Sequence, residues 1–328
     1  RPQQAVRQGM TRSAYLDWLA APAHPAPPAK RHADLGPDLV VGYATGYGPK
    51  ELACFVRSLR THSTAHIALV ASDRPETTAF LDAHQVDHWR APQEAGWAPH
   101  LLIGRFKHYR SILAAYPQAR RVLITDVRDV AFQGDPFAAG FGDEESPIAL
   151  YCETPPGDLG SHGANPKWLK SLIGDPMAAT LARKPVVCGG SIIGAPAALD
   201  SLIQTLLWLC AIQRSGALEG IGADQAALNV IVHQGLCPAV AVPNHRRVAT
   251  IGYADPPQVS PEGTLQNPDG SESPILHQYD RHPLAKAAID ARWITPDLVS
   301  SAAPKPTGWA KTKARFRKSL ARRLPEWR

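Results

Sequence analysis

The chain has 328 residues, 44% of them hydrophobic and 20% charged, with a formal net charge of +6. That much apolar material builds a full globular core and excludes an intrinsically disordered chain. No run of about 18 apolar residues occurs, which excludes a membrane-spanning helix.

The basic charge is local. Residues 308–328 carry eight Lys and Arg against Glu326, a net of +7 set against +6 for the whole chain, so the remainder sits near −1. Charge confined in this way argues against nucleic acid as a partner. Five widely spaced cysteines in apolar surroundings (Cys54, Cys152, Cys188, Cys210, Cys237) suit buried thiols in a reducing compartment, so a cytoplasmic location is expected. The chain starts on Arg and shows no signal-peptide succession, which leaves open a longer parent chain.

In chain order, residues 11–21 have the pattern of a short helix with Tyr15, Leu16, Trp18 and Leu19 on a sticky face. Residues 22–37 hold five prolines and read as an extended linker. This gives three regions: a helix and linker over 1–37, a catalytic domain over 38–300, and a basic tail over 301–328. Within the domain the pattern alternates. Strands are expected at 39–43, 66–71 and 86–90, and helices at 49–62, 75–84 and 100–116, the last carrying Arg105, Lys107 and Arg110. A central strand, Val122-Leu-Ile-Thr125, follows. Further on come strands at 147–152, 186–194 and 274–277, helices at 168–182, 197–215 and 223–233, and a turn at 267–270. Strands alternating with helices of 10–15 residues predict an α/β fold, a mixed but mostly parallel sheet with helices on both faces.

Acids cluster where the central strand ends: Asp126, Asp129, then Asp135-Pro136 starting a turn into a short helix. In open α/β sheets, ligands bind at the carboxyl ends of strands. Two carboxylates a few ångströms apart repel by roughly 1–4 kcal/mol. A hard divalent cation relieves that repulsion and bridges to phosphates. On spacing alone, a structural pair fits as well as a metal pair, with one Asp capping the turn and the other paired to Arg128.

Several motifs in this order resemble the GT-A (Rossmann-like) glycosyltransferases, most closely the retaining family 8 type, over about residues 40–281. Leu123-Ile-Thr-Asp126-Val-Arg-Asp129-Val resembles that family's strand ending in D-x-D, here spaced D-x-x-D; the resemblance implies that Asp126 and Asp129 serve Mn²⁺ (or Mg²⁺). Val187-Cys-Gly189-Gly190-Ser191-Ile-Ile-Gly194 resembles the small-residue strand beneath the donor sugar. Asp224-Gln225-Ala-Ala-Leu-Asn229 resembles the D-Q-x-x-L-N helix start, which implies that Asp224 contacts the donor sugar and Gln225 lies near the anomeric carbon. Capping of the helix alone accounts for Asp224. His277 resembles the third metal ligand by position; the family's H-x-x-G-x-x-K-P-W is absent. Tyr43, Thr45 and Tyr47 occupy the place of the base and ribose grip. Arg110, with Lys107 as second candidate, resembles the basic residue holding the diphosphate and the first acid.

The resemblance implies transfer of a sugar from a nucleotide-sugar donor, UDP-linked in the family's common form, to a glycan or lipid-linked acceptor, as in bacterial envelope polysaccharide synthesis. In the tail, Trp309, Phe316, Leu320, Leu324 and Trp327 share one helical face among Lys and Arg. Such a helix would lie on an anionic bilayer, as a peripheral contact at the inner face of the membrane; a solvated tail packing Trp309 on its own domain is the other reading of the same residues. Two other readings remain: a nucleotide- or glycan-binding protein with a degraded metal site, and a phosphatase using Asp126 as nucleophile.

Overall fold

The apolar run after the proline-rich segment becomes the middle of a seven-stranded sheet. In the computed structural model, which describes residues 13–30, 32, 34–91, 96–153, 157–211 and 221–298, β1 (Leu39–Ala44) pairs in parallel with β2 (His66–Ala71) and β4 (Val122–Thr125). β2 pairs in parallel with β3 (Val86–Trp89). Beyond β4 lies β7 (Val187–Gly194), antiparallel to β4 and to β6 (Ile148–Cys152), and β6 pairs in parallel with β8 (Ala239–Val242) at the edge. Six strands therefore run one way and β7 alone runs against them. β1 and β4 are buried almost throughout because both faces are covered, which is why they read as continuous apolar runs rather than alternating ones.

Alternate residues of β1 separate the two layers. Leu39 and Val41 face α4 (Leu101–Ala115), α7 (Pro196–Ala211) and α8 (Ala223–Gln234), whereas Val40 faces α2 (Pro49–His62) and α3 (Pro75–Ala83). The mixed, mostly parallel α/β sheet with helices on both faces is thus as expected. The core also takes in the N-terminal helix α1 (Ala14–Ala20). Tyr15 and Trp18 are buried, the Tyr15 hydroxyl donates to the Leu207 carbonyl at 2.7 Å, and Lys107 Nζ donates to the Trp18 carbonyl at 2.7 Å. All five cysteines are unpaired. Among the described residues no helix is long and apolar enough to cross a membrane.

Three local expectations need correction, and one small sheet was not foreseen. The helix predicted over 168–182 is two, α5 (Asn165–Ile173) and α6 (Asp175–Leu181), because Gly174 takes φ 79° and breaks the chain direction. Asp135-Pro136 makes a turn closed by Ala138 N–H to Asp135 O, and no helix follows. The turn at 267–270 predicts a hairpin leading into 274–277, but the two-stranded hairpin lies before that turn, at β10 (Gln258–Val259) and β11 (Leu265–Gln266). A second small sheet went unpredicted: β5 (Val130–Phe132), β12 (Ile275–His277) and β9 (Val248–Thr250), with α9 (Pro283–Trp293) following. The helix over 197–215 ends its described part at Ala211, and the tail with its amphipathic stripe lies outside the described residues.

Candidate metal centre

The small sheet explains how a histidine near the end of the domain reaches acids in its middle. β5 starts one residue after Asp129 and pairs antiparallel with β12, with Val130 opposite His277. Gln278 N–H then donates to the Asp129 carbonyl at 2.7 Å, extending that ladder past the acid. The result brings ligand atoms of Asp126, Asp129 and His277 within 4.8 Å of one another.

Asp126 is fixed from two sides. Its backbone N–H donates to Gly190 O at 2.9 Å, and its Oδ1 accepts from Arg105 at 2.5 Å. Gly190 O also accepts from the hydroxyls of Thr125 and Ser191, so the Gly190 Cα turns its bare side towards the acids. A side chain there would collide: a Cβ would lie 2.2 Å from His277 Cε1 and 2.8 Å from Asp126 Oδ2. Ser191 itself is buried against Thr125 and secures the strand pair rather than lining open space.

His277 is buried, and its Nδ1 faces Thr250 Oγ1 at 3.5 Å and Cys188 Sγ at 3.7 Å. Its Nε2 lies 3.5 Å from Asp126 Oδ2, too far for a sound hydrogen bond, and has no hydrogen-bond partner. An orphaned imidazole nitrogen aimed at two carboxylates is a donor set suited to a divalent cation. The electrostatics agree. Burial disfavours a charged imidazole, yet the Cys188 sulfur and both acids outweigh it and push the His277 pKa up. Burial, then Asp126, push the Asp129 carboxyl up, whereas Arg105 and His277 overcome burial and hold Asp126 down. A protonated His277 would itself supply positive charge to these acids, and a cation bound there would have to displace that proton.

Arg105 corrects one expectation. Arg110, expected beside the first acid, pairs with Asp200 at 2.6 Å, and Lys107 points to the N-terminal helix. Arg105 and Tyr109, four apart, share the face of α4 that meets the site; Arg110 is about 100° further round. Arg105 bridges Asp126 and Asp224, reaching Asp224 Oδ2 at 3.1 Å. Burial raises the Asp224 carboxyl despite that guanidinium. Next to Asp224, Gln225 Nε2 donates to Glu153 Oε1 at 3.0 Å and Asn165 Oδ1 at 2.9 Å, while its Oε1 accepts from Gly189 N–H at 3.3 Å. His162 holds the other oxygen of Glu153 at 3.1 Å. Glu153, Asn165 and His162 were not singled out as site residues from sequence, although residues 153–166 read as a polar, glycine-rich binding loop and His162-Gly-Ala-Asn-Pro-Lys167-Trp168 echoes the family's H-x-x-G-x-x-K-P-W out of order.

Asn229 has a different task from its neighbours in the motif. Its amide takes both Val187 N–H and Val187 O at 2.9 Å, and also donates to Gln225 O at 2.8 Å. An Asn229→Leu variant would leave the buried Val187 groups unpaired. It is expected to lose about 1–3 kcal/mol of stability in urea unfolding.

A cavity of about 190 Å³ opens beside the acids, lined by Tyr43, Tyr47, Leu101, Leu102, Arg105, Val127 and Arg128. That is below the roughly 300–1,000 Å³ of sites enclosing a drug-sized ligand. Thr45 is exposed and outside its lining. Two larger hollows, about 960 and 720 Å³, lie along the N-terminal segment near the end of α4, and none of the three acid-cluster residues lines either. No family model matches this chain, and no curated protein matches it either.

Proposed function

We propose that this chain is a GT-A-type glycosyltransferase that uses a divalent cation, Mn²⁺ or Mg²⁺, to move a sugar from a nucleotide donor to a glycan or lipid-linked acceptor, with retention at the anomeric carbon. The observation that carries this reading is the buried, partnerless His277 Nε2 aimed at Asp126 and Asp129, next to a cavity that two tyrosines line. Asp126, Asp129 and His277 would hold the cation. When bound, the cation would stabilise the charge that grows on a diphosphate leaving group.

The protein's own groups supply the rest. Arg105 keeps Asp126 ionised and ties it to Asp224, so the metal side and the sugar side of the cleft keep one spacing. Glu153 and Asn165 hold the Gln225 amide in a single orientation at the start of α8. Gly190 lets His277 and Asp126 close against β7, where any side chain would collide with both, and Gly189 leaves only ordinary contact distance to Asp224 on the other side of the strand. Tyr43 and Tyr47 line the side suited to a base and ribose. We read the donor as UDP-linked, and the basic amphipathic tail as a peripheral contact with an anionic membrane at its cytoplasmic face. The role suits envelope polysaccharide synthesis.

Asp126 as a phosphatase nucleophile fits poorly, because Arg105 occupies its Oδ1. The test is release of free nucleoside diphosphate from UDP- and GDP-sugars with Mn²⁺. Release that EDTA abolishes is expected; metal-dependent binding without release would make the chain a nucleotide-binding module instead.

A further inference from the structure

The D-x-x-D spacing inserts one residue between the acids, and the two intervening side chains have parted ways. Val127 is buried over β1, where a Cβ on Gly42 would lie 2.4 Å from Val127 Cγ2. Arg128 turns outward, remains 45% exposed, and lines the same cavity as Tyr43 and Tyr47. The basic residues picked from sequence to meet the diphosphate, Arg110 and Lys107, face elsewhere, and Arg105 is buried between two acids. Arg128 is thus the cation in the cavity lining with substantial exposure.

Tyr47 hydrogen-bonds to the Arg128 side chain, and its acidic partners hold it loosely. The guanidinium is 3.3 Å from Asp280 and 3.6 Å from Asp129, and neither contact forms a hydrogen bond of good geometry. One of those partners is a proposed metal ligand. A cation held by the Asp129 carboxylate would weaken that attraction, and Asp280 would still anchor Arg128 beside the cleft.

Building on the proposed nucleotide site, we propose that Arg128 binds the diphosphate of the donor, with Asp280 as its positioning partner. The extra residue of D-x-x-D then supplies a cation at the metal centre itself. A planar guanidinium suits two linked phosphates better than a point charge does. Arg128 would share with the cation the task of neutralising the diphosphate charge.

Isothermal titration of the full chain with UDP, GDP and ADP, then with the nucleoside of whichever binds, tests this in Mn²⁺. Arg128→Gln is expected to weaken the nucleoside diphosphate by about 10- to 100-fold and leave the nucleoside unchanged. Mn²⁺ binding without nucleotide should be retained or tighter, because a positive neighbour of Asp129 is gone. Arg128→Lys should recover only part of the loss. Equal weakening of nucleoside and diphosphate, or loss of Mn²⁺ binding, would assign Arg128 a structural role and overturn the inference while the nucleotide site stands. Wild type that binds none of the three diphosphates removes both.

Discussion

Replacing Arg247 with methionine is expected to lower the unfolding free energy by about 3–5 kcal/mol. Arg247 has no solvent exposure, and neither does its partner Asp143. Its Nη2 meets Asp143 Oδ1 at 2.5 Å, its Nε meets Oδ2 at 2.8 Å, and its Nη1 donates to the carbonyls of Pro136 and Ala138 at 2.9 and 2.7 Å. Tyr151, on β6, donates its hydroxyl to the same Asp143. Removing the guanidinium therefore strands a buried carboxylate and two carbonyls at once. Replacing both charges, Arg247→Met with Asp143→Leu, should recover part of the loss, since the desolvation cost disappears with the second charge. The pH dependence has a defined sign. Burial pushes the Asp143 carboxyl up, but Arg247 and Tyr151 outweigh it and hold its pKa below the usual carboxylate range. The pair's contribution is complete above the unfolded carboxylate value, about 3.9, and is lost as pH falls through the lower folded one. In urea unfolding, the gap between wild type and Arg247→Met should be full at pH 7 and shrink below about pH 4. A gap that widens in acid would contradict this account. The pair also matters for the site: Arg247 precedes β9 and Tyr151 lies on β6, so it fastens the small sheet that carries His277 to the large one.

Gly190→Ala is expected to weaken Mn²⁺ binding by about 100-fold or more, well beyond its effect on stability. The new methyl would sit 2.2 Å from His277 Cε1, 2.6 Å from its Nε2 and 2.8 Å from Asp126 Oδ2. The imidazole has no room to retreat, because Cys188 and Thr250 back its other nitrogen. Ring or carboxylate must move, and a cation site tolerates little displacement of its ligands. Overpacking of this kind costs about 1–3 kcal/mol of stability, so the variant should still fold. Gly189→Ala is the control. Its Cβ would meet Leu228 at 3.5 Å and Asp224 at 3.7 Å, ordinary contacts on the other side of the strand. Electron paramagnetic resonance of free Mn²⁺ should therefore separate the two variants. Equal affinities in both would mean that the cation does not sit between Asp126 and His277.

Particular residues show how far the sequence carries. β1, β2 and β4 were legible because burial on both faces leaves unbroken apolar runs, and α2 because Leu52, Phe55 and Leu59 repeat at helical spacing. β5 and β9 were not, since three residues give no periodicity, and their existence depends on pairing with β12 far along the chain. That same pairing puts His277 beside the acids, which its position in the sequence only hinted at. The choice among Arg105, Lys107 and Arg110 depended on the rotation of α4 about its axis. Helical spacing separates Arg105 from Arg110, but only the packing of α4 on the sheet says which face meets Asp126. Glu153 meets Gln225 and His162 meets Glu153, contacts made far along the chain, so the loop's polar composition and the motif echo at His162 did not show what these side chains hold.

The central claim is a cation site that recruits a nucleoside diphosphate, and thermal unfolding of wild type and Asp129→Ala with UDP, GDP and ADP, each with and without Mn²⁺, tests it most directly. One diphosphate is expected to stabilise wild type only when Mn²⁺ is present, by about 2.7 kcal/mol at 100 times its Kd, and Asp129→Ala should remove that gain. Stabilisation that is indifferent to Mn²⁺, or none from any diphosphate at millimolar concentration, would contradict the account.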